Sequence, residues 1–209
     1  MRITEKLAHI EYLQVVKEDS QKVACGSNQE WFPTEWQRFA GCGPSTAANI
    51  LFYINRKEDN SCCGKGKVDL LRFMEDTWQS VKPGADGIPS TALFLEKLGW
   101  YAARHGKKFH YFVLDVPPRG TERPSLPMVF AFISQGLRDD VPVAFLNLDH
   151  GAEKRLESWH WVTITAMDYS EDAGTAQISI CDEEIVKKID LTLWLETTES
   201  GGGFVYLLS

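Results

Sequence analysis

Gly41-Cys42-Gly43-Pro44-Ser45-Thr46-Ala47-Ala48 places one thiol between two glycines, directly ahead of an apolar pattern. Ala47, Ala48, Leu51 and Ile54 recur at near-helical spacing, so a helix is expected to open at this cysteine and to end near Asn55. A thiol at a helix N-terminus meets unpaired backbone N–H groups and the positive end of the helix dipole. Both favour the thiolate, which is the nucleophilic form. Pro44 suits the first turn, where its missing N–H costs nothing. The flanking glycines permit a tight turn and the close approach of another chain. The competing reading is a buried structural cysteine, and the residues around Cys42 alone leave the two level.

Outward from this helix the chain changes texture. Val68, Leu71, Met74, Trp78 and Val81 predict a second helix, broken by Pro83-Gly84-Ala85-Asp86-Gly87. Ser90 is an N-cap for a third, carrying Leu93, Phe94 and Leu98. Before Cys42 a short helix is expected around Ile10 to Val16, then a loop rich in Trp and Phe. Beyond Gly106 the residues are aromatic and β-branched, and Phe109 to Val116 reads as a strand. Val129 to Leu137 forms one more helix. Strands are then expected at Val141–Leu148, Trp159–Asp168, Thr175–Asp182, Ile185–Leu191 and Phe204–Leu208. Helices first and strands second is an α+β pattern. It predicts a single domain over 1–209, with a helical lobe over about 1–105 and an antiparallel β lobe over about 106–209.

Composition limits what the chain can be. A length of 209 residues with 44% hydrophobic content supports a core without metal or disulfide staples. The net charge of −7 argues against nucleic acid as a partner, and the basic pairs Lys107-Lys108 and Lys187-Lys188 make no patch. No apolar run approaches the roughly 18 residues of a membrane span, and no signal peptide is visible at the N-terminus. Five irregularly spaced cysteines, Cys25, Cys42, Cys62, Cys63 and Cys181, predict no disulfide framework and a cytoplasmic location. Cys62-Cys63-Gly64-Lys65-Gly66-Lys67 has neither zinc nor P-loop spacing and reads as a polar loop, so no metal or cofactor is expected.

Cysteine catalysis needs an imidazole to take the thiol proton and a third group to orient the ring. Of five histidines, His160 opens a strand, Ser158-Trp159-His160-Trp161-Val162-Thr163-Ile164. It shares a face with Val162 and Ile164, while Ile178, Ile180 and Asp182 share a face of the next strand. If Asp168 faces Gly174 across the intervening loop, residue 160 faces 182, with Cβ atoms about 4.5–5.5 Å apart. The alternatives are a core histidine and a turn aspartate. An oxyanion donor is also required. Gln37, five positions before Cys42, is the first candidate beside the Cys42 backbone N–H, with Asn28 and Gln29 as rivals. Trp31, Phe32 and Trp36 belong either to a substrate groove or to the core.

Together these residues resemble a papain-like cysteine peptidase, of the branch related to bacteriocin-leader (double-glycine) processing peptidases. The likeness rests on Gln37, on Gly41 to Ala48, on His160-Trp161-Val162-Thr163-Ile164-Thr165-Ala166-Met167-Asp168 and on Ile180-Cys181-Asp182. It covers roughly 36–52 and 158–183, and Ala166-Met167-Asp168 replaces the branch's usual small-aromatic-Asp ending. The resemblance implies a helical lobe bearing the cysteine, a β lobe bearing the histidine and aspartate, and a cleft between. It implies hydrolysis of a peptide or isopeptide bond in a peptide or protein substrate. Cys42 would be the nucleophile, His160 the base, Asp182 its orienter and Gln37 an oxyanion donor. An acyl or peptidyl transferase using the same site, and a peptide-binding module with a vestigial one, are the alternatives.

Overall fold

In the computed structural model, which describes residues 2–16, 23–58, 66–170 and 172–209, the chain is mixed helix and antiparallel sheet. Strand β1 (Arg2–Lys6) is followed by a 3-10 turn at Ile10–Leu13 and a small hairpin, β2 (Gln14–Val16) and β3 (Val23–Cys25). Helices α1 (Glu35–Phe39), α2 (Cys42–Glu58), α3 (Lys67–Ser80) and α4 (Thr91–Arg104) come next. Strand β4 (His110–Val116), helix α5 (Leu126–Arg138) and strands β5 (Val143–Asn147), β6 (His160–Ser170), β7 (Thr175–Asp182) and β8 (Ile185–Asp190) follow. Helix α6 (Leu191–Thr197) and strand β9 (Gly202–Leu208) end the chain. The α+β expectation holds, and Ser90 caps α4 as anticipated by accepting from the Leu93 N–H.

The main sheet runs β4-β9-β5-β6-β7-β8, with β1 added along the outer half of β6. The first strand of the chain therefore lies in the sheet, not in a helical lobe. Local periodicity carries no sign of this, because β1 pairs with the distant segment Ala166–Ser170 of β6. Two further differences are local. The predicted helix over Ile10 to Val16 is a 3-10 turn plus β2, and the strand predicted to run to Leu191 stops at Asp190. There the Asp190 carboxylate caps α6 by accepting from the Leu193 N–H.

Helix α2 is buried almost all round because it is wedged between two layers. Ala47, Ile50, Leu51 and Ile54 join the core formed with Val162 and Ile164 of β6 and with the rest of the sheet. Ala48 and Phe52 turn to a second cluster with Leu70, Met74 and Trp78 of α3 and with Phe32. This double burial fixes the N-terminus of α2, and hence Cys42, against β6. Of the loop aromatics, Phe32 is core, Trp31 packs on it and Trp36 is exposed.

Cys25 and Cys181 are paired, which overturns the expectation of no disulfide. Their separation of 156 residues is a distance at which sequence spacing says nothing about contact. Closing so long a loop stabilises the native state by about 2–4 kcal/mol. The bridge also removes the ground for expecting a reducing compartment. Cys62 and Cys63, read as part of a polar loop, lie outside the described residues. No helix among the described residues is long and apolar enough to cross a membrane.

Candidate active site

Cys42 is the first residue of α2, and the Gly41 carbonyl accepts the first intrahelical bond, from the Ser45 N–H. The two glycines beside it are demanded by packing as much as by flexibility. A Cβ on Gly41 would lie 2.3 Å from the Gln37 carbonyl oxygen, and one on Gly43 would lie 2.9 Å from Ile88 Cδ1. Only hydrogen at both positions lets the helix start sit this deep, between α1 and the Pro83–Ile88 loop.

His160 opens β6 and Asp182 ends β7, and His160 Nε2 lies 2.7 Å from Asp182 Oδ1. The predicted pairing of 160 with 182 is not the register found. Asp168 faces Gln177, because Tyr169 and Ser170 extend the strand and shorten the loop. Continued without interruption, that register would bring Thr163 opposite Asp182 and turn the carboxylate to the wrong face. A bulge at Thr165 shifts the pairing by one, so that Ile164 faces Ile180 and Thr163 faces Cys181. Val162 then opposes Asp182, and Asp182 shares the face of His160, one pair removed. The bulged Thr165 is held through its carbonyl, which accepts from the Leu7 N–H just beyond β1. The predicted common face survives, while the predicted directly opposed pair does not.

His160 and Asp182 are 7% and 4% exposed. With Nε2 committed to Asp182, the other ring nitrogen, Nδ1, is the one left for the Cys42 sulfur, which lines the same recess. Burial alone would raise the Cys42 pKa. The hydrogen bond and charge of His160, helped by backbone N–H groups of Trp161 and Gly43, outweigh it and hold the thiol below its ordinary value. Burial likewise works against the imidazolium, but hydrogen bonds to Asp182 and Cys42 push His160 up to about 10. The two shifts favour a thiolate–imidazolium pair at neutral pH. Asp182 is also gripped on its other oxygen, Oδ2, by Lys187 Nζ of β8 at 2.6 Å. Nothing in the local sequence around Lys187-Lys188 marks Lys187 as a site residue.

Compared with known proteins, the sequence matches no family model and no curated protein.

Gln37 is not brought to the cleft. Thr34-Glu35-Trp36-Gln37 forms a capping box at the start of α1, and Gln37 Oε1 accepts from the Thr34 N–H and hydroxyl. Asn28 is also engaged, since its side chain accepts from the Glu30 N–H. Gln29 is the amide that lines the cleft. It shares with Cys42, His160 and Asp182 a recess of about 20 Å³, room for about one water-sized group. Its Oε1 is buried with no hydrogen-bond partner among the described residues.

The strand-to-turn segment before Gln29 is tied down on every side. Ser27 donates its N–H to Asn49 Oδ1 of α2, and Asn49 Nδ2 donates to Thr163 of β6. The β7–β8 turn completes the clamp. Glu183 and Glu184 both have positive φ, as a two-residue hairpin turn requires. Glu184 accepts from the Cys25 N–H and donates to the Ser27 carbonyl. Together with the Cys25–Cys181 bridge, these bonds lock the Gln29 segment to the strand end that carries Asp182.

On the other side of Cys42 lies an apolar hollow of about 310 Å³, walled by Phe39, Ile88, Leu146, Trp159 and Trp161. Phe39 and Trp159 stand 78% and 61% exposed at its mouth. Trp159 has φ 56°, a strained conformation for a bulky residue, immediately before His160. Trp161 is fixed by its indole N–H on the Ile88 carbonyl at 2.8 Å and by stacking on Phe94. The remaining histidines are engaged elsewhere: His9 with Glu11, His105 with Asp76 and His150 with the Gly151 carbonyl, while His110 starts the edge strand β4. Among the described residues there is no cluster of three or more His, Cys, Asp and Glu side chains suited to a metal ion.

Proposed function

We propose that this chain is a cysteine peptidase of papain-like fold, acting on a peptide or isopeptide bond of a peptide or protein substrate. The observation that carries this reading is the line of Cys42, His160 and Asp182 around one recess, at the meeting of a helix N-terminus and a strand end, with His160 and Asp182 buried and hydrogen-bonded. The Cys42 thiolate attacks the carbonyl carbon, and the carbonyl oxygen gains the negative charge. That oxygen enters the small recess, where the Cys42 backbone N–H and the Gln29 amide turned to present Nε2 are the donors. The tetrahedral species collapses as His160 passes its Nδ1 proton to the leaving amine, giving a thioester on Cys42. Water then attacks the thioester while His160 takes its proton. The carboxylic acid leaves and the ion pair re-forms.

The apolar hollow beside Cys42 suits one large apolar or aromatic side chain of the substrate near the scissile bond. Strain at Trp159 supports this, because it holds an exposed indole at the mouth of that hollow rather than in the core.

A peptide library incubated with the protein and quenched in acid tests the proposal. The expected result is cleavage enriched for a bulky apolar residue near the cut, with a covalent acyl adduct on the Cys42 peptide. Binding without cleavage or adduct, persisting in Cys42→Ser, would overturn it in favour of a binding module.

A further inference from the structure

We propose that Lys187 is a positioning residue of this site: from β8 it holds Asp182 Oδ2, so that Oδ1 stays aimed at His160 and the imidazolium is not over-stabilised by the carboxylate. The inference rests on the reading of Cys42 and His160 as a catalytic pair.

The placement follows from the hairpin. Asp182 faces Ile185 across the two-residue turn, so Lys187, two positions on, lies on the same sheet face as Asp182. This is the diagonal cross-strand position, within reach of a long side chain. His160, Asp182 and Lys187 thus come from three adjacent strands, β6, β7 and β8, and form one line across the sheet. The Asp182 side chain is almost wholly buried, whereas that of Lys187 is 27% exposed. A buried carboxylate with one oxygen unpaired would be free to rotate and would be costly to keep charged. With Lys187 bound, both oxygens have fixed cationic donors, and the plane of the carboxylate is set.

The second effect is electrostatic. The groups facing this line are Cys42 from α2, Asp182 from β7, Lys187 from β8, Glu183 in the turn and Glu157 ahead of β6, the last two acting on Lys187. Lys187 is the cation among them besides His160 itself. It offsets part of the negative field of Asp182, which otherwise would hold the His160 proton more tightly. Because His160 must give that proton to the leaving group, the offset favours turnover. Lys187 stays charged over the working range, since its own pKa, lowered by burial, is raised further by Asp182.

The test compares wild type with Lys187→Met and Lys187→Arg by steady-state kinetics and by an NMR titration of the His160 ring nitrogens. Lys187→Gln serves in place of Met if the Met variant does not fold. In Lys187→Met, kcat should fall about ten- to a hundredfold with KM unchanged. The His160 midpoint should move to higher pH, because a repelling charge has gone. Lys187→Arg should restore both. An unchanged kcat and midpoint in Lys187→Met, or an equal loss in Met and Arg variants that tracks a lower thermal midpoint, would overturn the proposal. The titration does not depend on turnover. Absence of activity in wild type therefore counts against the peptidase reading alone, while the midpoint still decides the role of Lys187.

Discussion

Replacing Cys42 with Ser should lower turnover by at least about 10⁴-fold, and His160→Ala should do the same. The reason is that neither residue has an understudy. The other histidines are committed elsewhere, and a serine hydroxyl in this recess is far too weak an acid for the imidazole to hold it ionised. The double variant should be no worse than either single one, because thiolate and imidazolium exist only as a pair. Stability separates the two. Cys42→Ser exchanges one small partly buried group for another and should leave the thermal midpoint close to wild type. His160→Ala strips the buried Asp182 carboxylate of one of its two donors and should cost about 1–3 kcal/mol, measured by calorimetry. Asp182→Asn should be milder in rate than His160→Ala, since an amide still orients the ring but cannot balance the imidazolium charge. Additive losses in the double variant would show that the two residues do not act as a unit.

Two glutamines should respond in opposite ways. Gln29→Ala should reduce kcat by about 10²–10³ with little change in KM, the loss expected when one oxyanion donor is removed. It should not destabilise the protein, because Gln29 Oε1 is buried with no hydrogen-bond partner among the described residues. Gln37→Ala should leave kcat unchanged and lower stability by about 0.5–1 kcal/mol, because it breaks half of the α1 capping box. A loss of kcat at Gln37 with none at Gln29 would contradict the geometry described above. Matched kinetics and denaturant melts on the two variants make the comparison.

That contrast also shows where sequence reasoning stops. Thr34-Glu35-Trp36-Gln37 carries the signature of a capping box, so the role of Gln37 was open to view and lost to a spacing argument. Gln29 stood only as a rival, because its approach to Cys42 depends on Asn49, on the β7–β8 turn and on the disulfide, all far away in sequence. The helix start at Cys42 and the common face of His160 and Asp182 were legible, because both follow from local periodicity. The exact register was not. A shorter loop and a bulge at Thr165 shift the pairing in opposite directions, and neither has a local signature in Ile164-Thr165-Ala166. The partial cancellation kept Asp182 on the right face. Lys187 was visible only as half of a basic pair, and its position two residues past a tight turn gave it meaning once the turn was placed.

The most direct measurement is the pH dependence of Cys42 alkylation, with each cysteine followed by peptide mapping in wild type and in His160→Ala. Cys42 is expected to label far ahead of the other cysteines at pH 6–7, because its depressed pKa leaves more of it ionised there than an ordinary thiol. Its rate should begin to fall at a lower pH than that of an ordinary thiol, as the ion pair takes up a proton. In His160→Ala, burial is opposed only by the backbone N–H groups of Trp161 and Gly43, the thiol pKa rises, and labelling at pH 6–7 should fall steeply. Preferential labelling of Cys62 or Cys63 with Cys42 inert, or a Cys42 rate indifferent to loss of His160, would contradict the account.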